Sequence, residues 1–126
     1  MDILGRETMP TQRLMKKSFD APDERKSPAA RTTFEVVDLG GMTFNKMTME
    51  PGWRWSQDVK PVAKTPSCQS RHVLNCLAGR LHVRMDDGTE EEFGPGDMAL
   101  IPAGHDAWVV GDEPNVTLEL AGAVKG

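Results

Sequence analysis

The 126-residue chain has only two cysteines, Cys68 and Cys76, and basic residues are outnumbered 15 to 19 by acidic ones. If residues 68–76 are mostly extended, the two Cα atoms lie roughly 26 Å apart at about 3.3 Å per residue. A disulfide tolerates about 7 Å at most, so an intrachain bridge is not expected. Free thiols suit a reducing compartment. The net charge of −4 leaves no broad basic face, which excludes nucleic acid as a partner, because phosphate contacts need clustered Lys and Arg. Apolar runs of about 18 residues are absent, so no membrane span is expected. The opening MDILGRETMPTQR has no apolar stretch of the length a secretory signal requires. The expected location is the cytoplasm. Nor does any stretch of about ten residues keep a helical period.

What is present is a series of short strands broken by turns. Residues 1–32 are polar, of mixed charge and interrupted by Pro10, Pro22 and Pro28. They read as an N-terminal arm, in which APDERKSPAAR is a solvated connection and RLMKKSF is able to form a short strand. Residues 33–126 read as one domain. TFEVVDL is β-rich and stops at Gly40 and Gly41. MTFNKMTME alternates with a slip at Asn45 and Lys46 that suggests a bulge. SQDVKPVAKTPS reads as a polar loop. RHVLNCL places His72, Leu74 and Cys76 on one face, and RLHVRMD places Leu81, Val83 and Met85 inward with His82 outward. Asp87-Gly88 signals a hairpin. MALI and VTLEL read as buried strands, with Leu100, Val116, Leu118 and Leu120 inward. About eight strands spaced roughly ten residues apart predict an all-β barrel or sandwich.

Two stretches then carry a resemblance. HVLNCLAGRLHVRMDDG looks like the region around the closing glycine of the first cupin motif, and GDMALIPAGHDAW matches the glycine, five residues, proline, any residue, glycine pattern of the second. From Pro51 to about Leu120 the chain resembles the cupins, which implies a single-domain jelly roll, a double-stranded β-helix. The family's metal ligands are not carried over in their own identity. The first motif's glutamate position holds His72, its two histidines fall at Cys68 and Pro66, and the second motif's histidine is Ala107. A substitute set is available. If strand pairing resumes at His105, it points the same way as Ala107, about 6.6 Å along the strand. Cys68, His72 and His105 would then offer one thiolate and two imidazoles to a divalent metal, zinc first, with iron, nickel or manganese also acceptable.

A second reading stands beside this one. His105 closes a turn, His72 is a satisfied residue at the barrel rim, Cys68 fills space, and the lumen binds a small apolar molecule without metal. Trp53, Trp55, Gln69 and Trp108 are candidate ligand contacts under either reading, and the tryptophans are equally suited to packing. The first reading leaves room for an oxygenase, isomerase or lyase, with Asp58 and Asp106 as candidate bases by location. Cys76 reads as core, and the acidic residues 90–92 read as a solvated strand. The resemblance also implies a homodimer, with the arm and MTFNKMTM available for strand exchange.

Overall fold

The computed structural model describes residues 13–120, so the outer parts of both expected segments, residues 1–12 and 121–126, lie outside the described residues. Among the described residues nine strands form two antiparallel sheets. In chain order they are β1 (Glu24–Ala29), β2 (Thr32–Leu39), β3 (Met42–Met49), β4 (His72–Ala78), β5 (Arg80–Met85), β6 (Glu90–Phe93), β7 (Met98–Ile101), β8 (His105–Val110) and β9 (Asn115–Leu120). The larger sheet has the order β1-β2-β3-β9-β4-β7 and the smaller one β6-β5-β8. The inner faces of both meet in one apolar cluster. Met47, Met49, Leu74, Ala99 and Ile101 come from the first, and Leu81, Val83, Ala107 and Val109 from the second. This is the expected all-β jelly roll. Among the described residues no ladder joins the two sheets into a closed barrel, so the lumen lies between open sheets. No helix of the described residues is long and apolar enough to cross a membrane.

The local departures have physical reasons. The arm contributes a strand, but from ERKSPA rather than from RLMKKSF, whose residues take up no strand. Pro28 is tolerated there because β1 is an edge strand and its register shifts between Lys26 and Ala29. The MTFNKMTM strand has no bulge: β2 and β3 pair without interruption from Thr32↔Met49 to Leu39↔Met42. Asn45 therefore shares the inner face with Met47 and Met49, while Phe44 turns outward. Both edges of β3 are occupied, by β2 and β9, so this strand is not available for exchange. The expected polar loop contains a π-helical turn, Trp55–Val59, that runs into the single-turn helix α1, Lys60–Ala63. Pro61 suits the first turn of α1, where an N–H would have no partner.

Two strands have the opposite phase to that expected. On β9, Asn115 and Thr117 are buried, while Val116, Leu118 and Leu120 are only partly covered on the outer face. On β7, Ala99 and Ile101 are buried and Leu100 is 57% exposed. Register decides both. The inner face of β4 carries His72, Leu74 and Cys76, and these pair with Ile101 and Ala99 on one side and with Glu119 and Thr117 on the other. Alternation places every directly opposed pair on one face. Apolar residues on both faces of β7 make the sequence pattern ambiguous, and the ladder resolves it.

Gly79 shows why the first motif closes as it does. Its φ is +69°, and a Cβ there would overlap the Pro114 carbonyl where β9 begins.

The corrected phase has a direct check. Leu74→Ala should cost about 2–5 kcal/mol in chemical denaturation, as buried leucine truncations do. Leu100→Ala, measured at a concentration where the chain is a monomer, should stay within about 0.5 kcal/mol. Equal losses would mean that β7 is assigned to the wrong face.

Candidate functional site

Between the sheets lies a cavity of about 650 Å³. Its wall is mainly apolar: Phe34, Met47, Met49, Trp53, Trp55 and Leu74 all border it. At one end sit Cys68, His72 and His105, whose ligating atoms all lie within 4.8 Å of one another.

Each of the three is positioned by backbone. Cys68 forms an isolated antiparallel bridge with His105, with Cys68 N donating to His105 O at 2.8 Å and Gly104 N donating to Cys68 O at 2.7 Å. Gly104 makes this turn with φ +90°, and a Cβ there would stand 2.9 Å from the Asp86 carboxylate. His105 begins β8 and is 3% exposed. His72 begins β4. A straight strand would separate residues 68 and 72 by about 13 Å. Residues 69–71 instead form no regular structure, and the chain bends enough to bring Cys68 Sγ to 3.7 Å from His72 Nε2.

The rings are oriented as metal-binding histidines are. His105 Nδ1 donates to the Pro102 carbonyl at 2.7 Å, and His72 Nδ1 faces both Glu119 carboxylate oxygens at 3.1 Å. Holding Nδ1–H in this way leaves Nε2 as the free lone pair of each neutral ring. A tetrahedral ion bonded to nitrogen at about 2.05 Å and sulfur at about 2.3 Å separates those donors by roughly 3.6 Å. The His72–Cys68 distance of 3.7 Å matches this, and the set as a whole, within 4.8 Å, would have to close further around a zinc-sized ion.

The same contacts set the charge of the unliganded cluster. Burial opposes ionisation of Cys68 more than any single contact favours it, but His105, His72 and the Ser70 N–H together pull its pKa down to about 6. Burial likewise disfavours a charged His72, and its contacts with Cys68 and Glu119 outweigh this and raise its pKa to about 9. Thiolate and imidazolium therefore coexist between about 6 and about 9. As pH falls through the lower value the thiolate's stabilisation is lost, and as pH rises through the upper one His72 loses its share.

The remaining candidates divide. Trp53 and Trp55 are buried and border the cavity, and Trp53 Nε1 donates to Thr32 Oγ1 at 2.9 Å. Gln69 borders the mouth, exposed, with its amide donating to the Ser67 hydroxyl and carbonyl. Trp108 is not brought to the cavity. It lies on the outer face of β8, stacked on His82 at 4.6 Å with Arg54 over the ring at 4.1 Å. Its partner in the ladder is His82, whose outward phase was expected.

Neither Asp58 nor Asp106 is placed to act as a base in the lumen. Asp58 pairs with Arg31 at 2.9 Å, and Asp106 accepts from Ser56 N and Oγ, so both fasten the helical turn. Cys76 is core, 1% exposed, and its thiol is pushed up by burial. Both cysteines are free, as expected. Glu119 and Asn45 are the site residues that the pattern concealed. Both lie on strands whose apolar residues suggested the other face.

In chelator-treated protein, the ultraviolet absorbance of thiolate should rise with a midpoint near pH 6 and vanish in Cys68→Ser. Glu119→Gln should lower the pKa of His72. A single titration at the ordinary thiol value would remove the coupled cluster.

Comparisons with known proteins extend the fold and go no further. No protein-family model matches the chain, and no curated protein is significantly similar to it. Solved structures do match. A protein of unknown function from Rhizobium leguminosarum bv. viciae is 20% identical, with a TM-score of 0.58 over 86% of this chain and 95% of that one. A DUF1255 protein of unknown function from Acidithiobacillus ferrooxidans is 19% identical, with a TM-score of 0.58 over 89% and 98% of the two chains. The polyketide cyclase RemF from Streptomyces resistomycificus is 21% identical, with a TM-score of 0.57 over 85% and 78%. At these identities the likeness shows a fold alone, the all-β jelly roll.

Proposed function

We propose that this chain is a small-molecule-binding jelly roll that holds a divalent ion, zinc first, on Cys68, His72 and His105 beside its cavity. One observation carries the reading: three donors of the right chemistry converge within 4.8 Å, and each imidazole has its other nitrogen held elsewhere. Three protein ligands would leave an ion there with a position to spare, the arrangement of sites that act on a ligand rather than brace a fold. An ion bound there supplies Lewis acidity to a ligand oxygen. This chain's own residues do the rest. Glu119 orients His72, the Pro102 carbonyl orients His105, and the buried tryptophans keep water from the apolar wall.

Elemental analysis of protein purified without an affinity tag tests the ion. The parent should carry about one metal per chain. Cys68→Ser should release it more readily than Cys76→Ser, and His82→Ala should leave it unchanged. Glu119→Gln should weaken affinity roughly 10- to 100-fold, the usual effect of losing a carboxylate behind a metal-bound histidine. Binding should weaken on acidification, because all three ligands must be deprotonated. A parent without metal after growth in zinc- and iron-supplemented media leaves the second reading, a metal-free binding module. The apolar wall supports ligand binding in either case.

We also propose that two copies pair through the outer face of β4 and β7. Leu77, Met98 and Leu100 are all exposed there, on and beside an edge strand whose outer side has no partner in the sheet. Sedimentation should give the mass of two chains at micromolar concentration, and Leu100→Glu should halve it. A parent that sediments as one chain removes the pairing.

A further inference from the structure

The lumen also constrains what it binds, on the reading above that the ligand lies there. Asn45 and Glu119 are directly opposed in the β3–β9 ladder, and both border the cavity. Directly opposed side chains are roughly 5 Å apart at Cβ. Glu119 is engaged with His72. The Asn45 Oδ1 is buried and has no hydrogen-bond partner. Such a group lowers stability by about the cost of an unmade hydrogen bond and is uncommon in a folded protein. Its residue borders the cavity, one strand from the residue that orients His72, and a rotation of the amide that opens it to the lumen gives it a use: it accepts from a ligand.

Charge narrows the ligand further. A divalent ion is balanced by the Cys68 thiolate and the Glu119 carboxylate, so the cluster has no positive charge left for an anion. Arg71 is the one Arg or Lys that borders the cavity among the described residues, exposed at the mouth, and any positive charge on His72 is already matched by Glu119 and Cys68. A carboxylate or phosphate placed near Glu119 would be desolvated without a counter-charge, which is costly. Two buried tryptophans, Phe34 and the methionines Met47 and Met49 offer flat and polarisable surface to rings.

We propose that the cavity takes an uncharged, ring-bearing and largely apolar compound whose hydroxyl group donates to Asn45, beside the Cys68, His72 and His105 cluster. A hydroxyl is the group that both donates to the amide oxygen and presents an oxygen lone pair to the cluster. The cavity volume is that of sites for drug-sized ligands.

Calorimetric titration with naphthol, naphthalene and naphthoate tests this, because the three share a ring system and differ in the polar group. Naphthol should bind the parent at least roughly tenfold more tightly than naphthoate, since the anion gains no counter-charge. Asn45→Leu, close in volume, should weaken naphthol roughly three- to tenfold, the worth of one hydrogen bond, and leave naphthalene unchanged. The same variant should raise the melting temperature, because it removes an unpaired buried group. If Asn45 only supported the fold, the melting temperature would fall and all three probes would weaken together. Asn45→Ala serves as the second variant should the leucine fail to fold.

Elemental analysis of the same samples separates this proposal from the ion. A metal-free parent that still prefers naphthol in an Asn45-dependent way removes the ion and supports the ligand class. A metal-bearing parent that takes naphthoate as tightly as naphthol overturns the ligand class and keeps the ion. Failure of all three probes to bind at millimolar concentration also overturns it.

Discussion

Two short backbone hydrogen bonds, between Cys68 and the turn at residues 104–105, hold the site together. They fasten the segment before β4 to the start of β8, residues 37 positions apart in the chain, and they do so before any side chain is considered. Once the bridge is made, Cys68 Sγ and the His105 ring face the same space. His72 arrives from β4, whose register is fixed on both sides by β7 and β9. The precision of the cluster therefore comes from sheet pairing and one tight turn, and the long side chains have little freedom left to lose. This is the preorganisation that the proposed ion would need.

Glu119 shows how the second layer is built on the first. It stands inward only because β9 is inserted between β3 and β4 with Asn115 and Thr117 on its inner face. That phase places polar residues in a lumen and apolar ones outside, the reverse of what a soluble strand ordinarily does. The inward groups are engaged only in part: Glu119 meets His72 and the Asn115 amide donates to the Ala78 carbonyl, while Asn115 Oδ1 and Thr117 Oγ1 have no partner. A partly buried carboxylate against His72, which itself meets a thiol, is also a charge arrangement that a purely structural core would avoid.

Legibility from the sequence followed the same division. β4 and β5 were readable, because RHVLNCL and RLHVRM each have one apolar face and one that reaches solvent. Gly79 and Gly104 were readable through the turns they make. Cys68, His72 and His105 could be brought together from motif positions, although the bend at residues 69–71 has only a serine to announce it. β7 and β9 were misread for one reason: both present apolar residues to the outside, so alternation names two faces without saying which is covered. Only cross-strand register settles that, and register depends on partners distant in sequence. Trp108 was misassigned for a related reason, since a tryptophan stacked between Arg54 and His82 on an outer face looks the same in sequence as one lining a pocket.

The helical turn at Trp55–Val59 forms part of the cavity wall through Trp55 and Val59, yet beyond the bridge of Arg54 to Trp108 it is fastened by side-chain contacts from Asp58 and Asp106. Arg31 and Arg54, the cations in those contacts, are each nearly half exposed. Salt screens ion pairs whose cations reach solvent and leaves backbone ladders untouched, so ionic strength acts on this part of the wall first.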